Sequence, residues 1–280
     1  MILDGKSLSE KILDNLKSEI EQNNYKPTLA VVLAGNNPAS EVYVSVKEKA
    51  CNKLGIKSLV KKFDDDVKEE ELLKEITKLN SDKDIDGILV QLPLPKGINT
   101  DKIINSISPE KDVDGFTLHN TGCILSGQKP YCYPCTPKGI LRILDEYNIQ
   151  IEGKHVVITG RSNIVGKPLA QMMLNRNATV TVCHSKTKNL SEHTKQADIL
   201  VSAVGKPYFI TSDMVKENAV VIDVGISRVD DKLKGDVNFE EVSQKASYIT
   251  PVPKGVGPMT ISSLMENTLE LHKMHIKKEN

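Results

Sequence analysis

Tyr43 and Lys47 stand four residues apart, close to the start of the chain. The stretch from Ser40 to Leu54 contains no Gly or Pro, and it is predicted to form a helix that Ser40 caps and Gly55 ends. Side chains four residues apart project from the same helix face. An aromatic ring and an ammonium could therefore contact one bound ligand, although an exposed pair on a solvated helix would have the same spacing.

Gln91 ends an apolar run, G-I-L-V-Q-L, that precedes Pro93. A neutral amide at the end of a strand can orient a cationic neighbour without adding charge, or it can simply terminate the strand. Asp112 and Asp114 follow in D-V-D-G. They could form a general acid pair, a metal site, or a turn in which an Asp side chain shapes the loop; no His or third carboxylate stands nearby, which argues against a metal.

Gly160 and Gly166 bracket a turn in V-V-I-T-G-R-S-N-I-V-G-K-P, between an apolar strand and a helix. The turn resembles a dinucleotide-binding fingerprint, except that its middle position is Ser162. An enzyme that uses NAD places an acid after the second strand, but residues 183–186 read Cys-His-Ser-Lys. With Arg161 in the turn, this pattern favours the 2′-phosphate of NADP, unless Arg161 and the histidine are ordinary surface residues.

The cysteines are odd in number, and no export signal precedes them, so free thiols are expected. They are Cys51, Cys123, Cys132, Cys135 and Cys183. Two of them form a C-x-x-C that has no second pair to complete a zinc site. We interpret that motif as loop packing, with redox or metal use as the alternative.

Helices alternate with strands along the chain, which predicts parallel sheets covered on both faces. The predicted helices are 7–22, 40–54, 67–79, 136–147, 166–175, 190–195 and 258–274. A helical turn is predicted at 101–107, a loop that contains Gly and Cys between Phe116 and Thr136, and a polar excursion at 230–241. The predicted strands are 28–33, 57–62, 87–92, 155–159, 178–183, 198–202, 219–224 and 248–249. Ligands of such sheets bind beyond the carboxyl ends of the strands, near Gly35 and residues 91–95.

A break between two domains is predicted just before the helix that starts at Thr136 and Pro137. The second half reads as a dinucleotide-binding unit that does not need the last helix, so we expect this helix to return to the first domain. The predicted domains are residues 1–137 plus 259–280 and residues 138–258. The fold class is therefore α/β, with a discontinuous first domain and an inserted Rossmann-type domain.

Lys and Arg together number 37, as do Asp and Glu, so no net field draws the chain to nucleic acid or to a membrane surface. The first residues lack the apolar core of a secretory signal, and no run is long enough to span a bilayer. We therefore expect a cytoplasmic protein with a small-molecule substrate.

Taken together, eight motifs resemble the bifunctional methylenetetrahydrofolate dehydrogenase/cyclohydrolase family, and they cover nearly the whole chain. They are S-E-V-Y-V-S-V-K (40–47), D-G-I-L-V-Q-L-P-L-P (86–95), K-D-V-D-G-F (111–116), P-C-T-P-K-G (134–139), G-R-S-N-I-V-G-K-P (160–168), C-H-S-K-T (183–187), V-V-I-D-V-G-I (220–226) and T-P-V-P-K-G-V-G-P-M-T (250–260). The resemblance implies NADP-dependent oxidation of methylenetetrahydrofolate and hydrolysis of the product to 10-formyltetrahydrofolate. It also implies a homodimer in one-carbon metabolism that serves purine biosynthesis, with no metal.

Residue roles follow from the same resemblance. It implies that Lys47 is the catalytic proton shuttle, that Gln91 supports it, that Tyr43 lies against the folate and that Asp114 binds the pterin. The implied cofactor contacts are Gly160, Arg161, Ser162, Ile164, Ser185 and Ile226. The chain departs from the family pattern at Lys254, where glycine is common.

Two other functions fit part of the pattern. A Rossmann dehydrogenase of small hydroxy or amino acids would explain the second domain but would leave Tyr43, Lys47, Gln91 and Asp114 without roles. A folate- or nucleotide-sensing module would keep the pocket but would not need the lysine.

Overall fold

Two compact units make up the computed structural model, which describes residues 1–230 and 232–279. The Lys47 unit comprises residues 11–135 and 261–279, and the Gly160 unit comprises residues 1–10 and 136–260. The predicted two-domain α/β architecture with parallel sheets is confirmed. Within the described chain, no helix is both long and apolar enough to cross a membrane.

Ten helices and ten strands are present in the described residues. The helices are α1 (Gly5–Asn23), α2 (Pro38–Leu54), α3 (Glu69–Ser81), α4 (Thr100–Asn105), α5 (Leu118–Leu125), α6 (Cys135–Glu146), α7 (Gly166–Leu174), α8 (Leu190–Thr194), α9 (Phe239–Val242) and α10 (Val256–Glu279). The strands are β1 (Thr28–Ala34), β2 (Lys57–Phe63), β3 (Gly87–Val90), β4 (His155–Thr159), β5 (Thr179–Cys183), β6 (Ile199–Ser202), β7 (Val220–Asp223), β8 (Ser227–Val229), β9 (Lys232–Lys234) and β10 (Tyr248–Ile249). Short 3-10 turns occur at Pro109–Lys111 and Ser212–Met214.

A three-stranded parallel sheet in the order β2-β1-β3 lies at the centre of the Lys47 unit. Side chains of β1 alternate between two cores. Leu29, Val31 and Leu33 face one core, which receives Leu264 and other apolar residues of α10. Ala30, Val32 and Ala34 face the other core, which α3 and α4 complete. The last helix therefore packs in the Lys47 unit, and β2 forms one edge of the sheet, where it carries Lys57, Lys61 and Lys62.

The helix that carries Lys47 begins two residues earlier than predicted. Asn37, not Ser40, is its cap: the Asn37 side-chain oxygen accepts hydrogen bonds from the N–H groups of Ala39 at 2.9 Å and Ser40 at 3.4 Å. Pro38 follows at the first helical position, where a missing N–H costs nothing. Ser40 is buried inside the helix. The predicted end at Gly55 is confirmed, since Gly55 adopts a left-handed conformation with φ of 75°.

A five-stranded parallel sheet, in the order β10-β7-β6-β4-β5, forms the Gly160 unit. Ile2 pairs with Ile249 of β10, and the N–H of Leu3 donates to the Ile249 carbonyl oxygen at 2.9 Å. These contacts explain why residues 1–10 belong to this compact unit, whereas the predicted functional domains assign them to the first domain. The predicted boundaries describe function and remain a prediction.

The structure differs from the predicted elements at three further places. Residues 118–125 form α5 where a loop was expected, because Gly122 inside the segment lowers its helix propensity. Strand β3 ends at Val90 rather than Leu92, just ahead of the Pro93–Pro95 run. The polar segment 230–241 contains β9, which pairs with β8 as an antiparallel hairpin, and α9; Asp231 lies outside the described residues.

Candidate functional site

The Lys47 ammonium lies against the end of the central sheet of its unit. Its Nζ donates to Oε1 of Gln91 at 2.8 Å, and Gln91 Nε2 donates to the Leu92 carbonyl oxygen at 2.7 Å. The N–H of Gln91 also bonds to the Val32 carbonyl oxygen at 2.9 Å, so the residue stays in register with β1. Gln91 is 8% exposed. A buried amide that is bonded at both its oxygen and its nitrogen thus holds a lysine at the carboxyl edge of the sheet.

Tyr43 lies one helical turn before Lys47 on α2. Its side chain is 46% exposed, whereas the adjacent Val44 is 2% exposed and packs into the core. The core contact of Val44 fixes the rotation of α2. Tyr43 is therefore available to a ligand on the face that carries Lys47.

Asp112 and Asp114, two residues apart, have different surroundings. Oδ2 of Asp112 accepts hydrogen bonds from the Thr117 N–H at 2.8 Å and from Asn120 Nδ2 at 2.9 Å, in a buried position. Asp112 thus shapes the loop, as one of the predicted alternatives had it. The residue Asp114 is partly exposed, but its carboxyl group is shielded from water and lies close enough to Lys47 for the lysine charge to act on it.

The electrostatics of Asp114 suit a carboxyl that meets a polar ligand. Burial raises its pKa to about 6; nearby Asp112 adds to the rise, and Lys47 and a hydrogen bond from Cys135 oppose it. The side chain therefore changes charge close to neutral pH. Perturbed carboxyl groups of this kind concentrate at functional sites.

Cys135, which the sequence interpretation assigned to loop packing, also belongs to this cluster. Its Sγ donates to the Val113 carbonyl oxygen at 3.5 Å and to Asp114 Oδ1 at 3.7 Å. Asn267 of α10 supports the same segment, because its Nδ2 donates to the Val113 carbonyl oxygen at 2.8 Å and to that of Tyr133 at 3.0 Å. No local pattern singles out Asn267, because it stands between two other polar residues, Glu266 and Thr268.

In the Gly160 unit, the turn after β4 is tightly packed. Gly160 has a φ of 117°, and a Cβ at this position would lie 2.3 Å from the Ala203 carbonyl oxygen. A Cβ on Gly166 would lie 2.2 Å from the Gly160 carbonyl oxygen. Ser162 occupies the middle of the turn, where its Oγ accepts from the N–H groups of Val165 at 3.2 Å and Gly166 at 3.3 Å. Both glycines are required by close backbone approach, and Ser162 binds two backbone N–H groups where the turn leads into α7.

The other predicted cofactor contacts lie along the same carboxyl edge. The Gly160 N–H donates to the Cys183 carbonyl oxygen at 2.8 Å, so Arg161 and Ser185 follow neighbouring strand ends within two residues of this bond. Both side chains are exposed. Ile164 and Ile226 are each 40% exposed, after β4 and β7 respectively.

A dinucleotide with a 2′-phosphate fits this donor set. An exposed guanidinium and a hydroxyl stand at the strand ends, and residues 183–186 present no carboxylate that would repel the phosphate. His184 serves the loop itself, since its Nδ1 accepts from the Lys186 N–H at 3.1 Å.

The five cysteines are free thiols, as expected, and Cys132 and Cys135 are buried in the core of the Lys47 unit. In residues 1–230 and 232–279, no group of three or more His, Cys, Asp or Glu side chains is arranged to hold a metal ion.

Comparison with protein families gives two matches in chain order. The family model "Tetrahydrofolate dehydrogenase/cyclohydrolase, catalytic domain" matches residues 3–114. The model "Tetrahydrofolate dehydrogenase/cyclohydrolase, NAD(P)-binding domain" matches residues 134–276. Together they cover well over half of the chain.

Similar proteins are known over the full length. The Bifunctional protein FolD of Halalkalibacterium halodurans is 56% identical over 276 residues, which are 98% of this chain and 99% of the relative. Among solved structures, the bifunctional enzyme FolD of Campylobacter jejuni is 51% identical with a TM-score of 0.95, covering 98% of this chain and 99% of that one. The Trypanosoma brucei methylenetetrahydrofolate dehydrogenase-cyclohydrolase, solved with NADP cofactor and inhibitor, is 34% identical with a TM-score of 0.95, covering 99% and 98%.

Proposed function

The chain belongs to the tetrahydrofolate dehydrogenase/cyclohydrolase family, and we propose that it carries out both reactions of that name. The first is NADP-dependent oxidation of 5,10-methylenetetrahydrofolate to 5,10-methenyltetrahydrofolate. The second is hydrolysis of the methenyl compound to 10-formyltetrahydrofolate. The observation that carries this proposal is the 2.8 Å hydrogen bond from Lys47 Nζ to Gln91 Oε1, beside Asp114 and one turn after Tyr43.

For the oxidation, the protein mainly has to align the folate with the cofactor. Bound NADP would supply the acceptor for the hydride that the methylene carbon loses. Tyr43 would lie against the folate ring system, and the Asp114 carboxylate would accept hydrogen bonds from the donor-rich edge of the pterin. These two contacts would fix the reacting carbon in a productive position.

The hydrolysis requires proton transfer. Water adds to the cationic methenyl carbon and loses one proton, which leaves a hydroxyl group on that carbon. The bond from this carbon to N5 then breaks as N5 gains a proton and the hydroxyl loses its proton to become the formyl oxygen. One water is consumed and one proton is released overall. Lys47 would accept and return protons at Nζ, while Gln91 holds the nitrogen in place.

NADP, rather than NAD, is the dinucleotide we propose for the Gly160 unit. Arg161 and Ser185 would bind the 2′-phosphate, which the exposed guanidinium and the absence of an acid in residues 183–186 support. The turn at Gly160 and Ser162 would approach the pyrophosphate. Ile164 and Ile226 would cover apolar surface of the cofactor.

Three further features belong to the same proposal. We propose that the protein acts in the cytoplasm, as a homodimer, in the one-carbon metabolism that serves purine biosynthesis. We also propose that residues 1–137 plus 259–280 act as the folate-binding catalytic domain and residues 138–258 as the cofactor domain. Sedimentation equilibrium tests the dimer directly, and a monomer mass would exclude it.

The decisive experiment is a coupled absorbance assay. The protein is incubated with methylenetetrahydrofolate and NADP, and the methenyl product and NADPH are followed separately. We expect NADPH to form and the methenyl signal to be consumed faster than by the uncatalysed hydrolysis. Failure to form NADPH would exclude the dehydrogenase, and a methenyl signal that decays at the uncatalysed rate would exclude the cyclohydrolase.

A further inference from the structure

Two buried carboxylates of the Gly160 unit have no role in the chemistry above. Asp223 ends β7 and is 3% exposed, and Asp236 follows β9 and is 0% exposed. Among the described residues, neither forms an ion pair with a Lys, Arg or His. Buried carboxylates without a cation must be stabilised by hydrogen-bond donors. The hydrogen-bond donors around Asp223 and Asp236 indicate what these two side chains do.

The side chain of Asp236 binds the loop that follows β6. Its Oδ2 accepts from Ser202 Oγ at 3.1 Å and from the Val204 N–H at 2.7 Å. Its Oδ1 accepts from the Lys206 N–H at 2.8 Å. Three donors from one short segment converge on this single side chain, so the carboxylate determines the conformation of the loop.

Asp223 fixes the turn after β7 and the segment that carries Asp236. Its Oδ1 accepts from the N–H groups of Gly225 at 3.1 Å and Asp236 at 2.9 Å, and its Oδ2 accepts from the Val237 N–H at 2.9 Å. The turn after β7 also packs closely against the Asp236 carboxylate, since a Cβ on Gly225 would lie 2.0 Å from Asp236 Oδ1. Ile226, a proposed cofactor contact, comes next in the chain.

The same network reaches the turn after β4. Thr159 Oγ1 donates to Ser202 Oγ at 3.0 Å, and the Ala203 N–H donates to the Thr159 carbonyl oxygen at 2.8 Å. The Ala203 carbonyl oxygen is the atom that a Cβ on Gly160 would meet. Loops after three adjacent strands are therefore tied together at the carboxyl edge of a parallel sheet, where ligands of such folds bind.

We propose that Asp236, backed by Asp223, is a positioning residue for the dinucleotide: it holds the loops after β6 and β7 in the conformation that binds NADP. The proposal rests on the proposed function, because it takes NADP as the ligand of this edge. Asp236 acts through the loops and does not itself contact the cofactor.

The chemistry of the donor set makes a sharp substitution possible. Each oxygen of Asp236 faces at least one donor, and a carboxylate has acceptors on both sides. Asp236→Asn keeps the shape of the side chain but turns one acceptor into an amide donor that faces an N–H. A buried donor left without an acceptor is costly, so we expect the dissociation constant of NADP to rise by about tenfold or more.

Asp198 offers a matched control at the opposite edge of the same sheet. Its Oδ2 accepts from the His155 N–H at 2.9 Å, and its Oδ1 accepts from Lys216 Nζ at 2.6 Å. It precedes β6, at the amino edge, away from Gly160. Asp198→Asn is therefore the same chemical change in the same unit, and we expect it to leave the dissociation constant of NADP unchanged.

The test combines binding, exchange and kinetics on the full chain. Calorimetry gives the dissociation constant of NADP for the wild type and both variants. Hydrogen exchange reports on the amides of residues 203–206 and 224–226 in the absence of cofactor. Asp236→Asn is expected to lose protection in these loops and to raise the KM for NADP, with the KM for methylenetetrahydrofolate unaffected.

Three results would refute either the positioning role of Asp236 or the proposed function on which it rests. A folded Asp236→Asn variant with wild-type NADP affinity and loop protection would refute the positioning role alone. If that variant does not fold, Ser202→Ala decides, because it removes one donor to Asp236 and is expected to weaken NADP about threefold; wild-type affinity would again refute the role. A wild-type protein that binds no NADP would instead refute the proposed function.

Discussion

The ammonium of Lys47 and the amide of Gln91 form a directed pair: Nζ donates to Oε1 at 2.8 Å, and the other end of the amide is fixed by the Leu92 carbonyl oxygen. Because Gln91 is bonded on both sides and nearly buried, its oxygen cannot turn away from the lysine. An ammonium has three donors, and Gln91 occupies one of them. The pair thus aims Lys47 without neutralising its charge.

Lys47→Met is expected to reduce cyclohydrolase turnover by about 100-fold or more, because the stem remains while the group that transfers protons is lost. A measurable fraction of the dehydrogenase activity is expected to survive, since hydride loss needs no proton acceptor. The measurement is conversion of supplied methenyltetrahydrofolate, corrected for the uncatalysed rate, from about pH 6 to about pH 9.

The matched control for Lys47 is Lys49→Met, an exposed lysine two residues further along the same helix. Residues two apart do not share a helix face, so this variant is expected to keep wild-type rates. Near wild-type cyclohydrolase turnover by Lys47→Met would show that another group carries the proton.

Asp114→Asn is expected to weaken folate binding by about tenfold or more and to impair both reactions together, because an amide donor replaces an acceptor that faces the pterin. The wild-type pKa of about 6 adds a pH signature. Below this pKa the carboxyl is protonated and loses acceptor strength, so folate affinity is expected to rise as the pH increases through about 6. Calorimetry across this range tests both points; unchanged binding by the variant would exclude Asp114 as the pterin contact.

Arg161→Ala is expected to cost about 1.5–3 kcal/mol in NADP binding, the value of a charge-assisted contact to phosphate, and to change NAD binding little. The control is Arg176→Ala in the same unit, whose guanidinium is already paired with Asp145 at 2.7 Å. Steady-state kinetics with both dinucleotides provide the comparison. A wild-type enzyme that used NAD as efficiently as NADP would disprove the assignment.

Asp86→Asn is expected to reduce stability at neutral pH by about 2 kcal/mol. Burial works to raise the pKa of Asp86, but the adjacent His272 and His275 side chains and the hydrogen bond from the Thr28 N–H outweigh it and bring the pKa to about 2, from an ordinary 3.8. A depressed acid pKa stabilises the fold above the unfolded-state value, and this contribution disappears as the pH falls from about 4 through about 2.

Urea unfolding at several pH values tests the Asp86 prediction, with Asp84→Asn, an exposed neighbour in the same turn, as the control. The control is expected to change stability by less than about 0.5 kcal/mol. An Asp86→Asn variant with wild-type stability at neutral pH and the same loss in acid would contradict the role of this carboxylate.

Lys254→Gly is expected to stabilise the Gly160 unit by about 1 kcal/mol. Lys254 has a φ of 85°, which strains the backbone of any residue that has a Cβ. Glycine loses more chain entropy on folding, but this loss is smaller than the strain that the substitution removes. Asn218→Gly is the control: Asn218 also has a positive φ, of 60°, in the same unit, but asparagine tolerates it. Thermal unfolding compares the two, and a lower midpoint for Lys254→Gly would show that its side chain stabilises the turn.

Local sequence patterns were sufficient for most of the architecture. The apolar runs of β1 and β4 have the length and composition of buried strands, and Gly55 and Gly160 mark turns that need unusual backbone. By contrast, α5 was missed because a glycine inside a short segment is typical of a loop, although Thr117 caps the helix by accepting a hydrogen bond from the Asn120 N–H. The cap at Asn37 was missed because Ser40 competed as an equally good residue type.

The sequence likewise predicted only part of the candidate site. Lys47 and Gln91 were found because each lies next to a recognisable element, but the hydrogen bond between them joins residues 44 positions apart, which no local pattern encodes. Asn267 and Asp236, and the contact of Cys135 with Asp114, were not predicted because each acts through partners distant in sequence. Their residue types are ordinary, and only the packed fold brings their donors and acceptors together.

Strand β2 has a consequence for the behaviour of the protein at high concentration. An exposed strand edge offers unpaired backbone groups to any other chain, and such edges promote association into aggregates. Lys57, Lys61 and Lys62 line this edge of the Lys47 unit. A second strand that paired with β2 would place its side chains beside these lysines, and lysines on a strand edge disfavour such pairing. The lysines therefore protect the central sheet from growing by strand addition, and they favour a dispersed protein over an aggregated one.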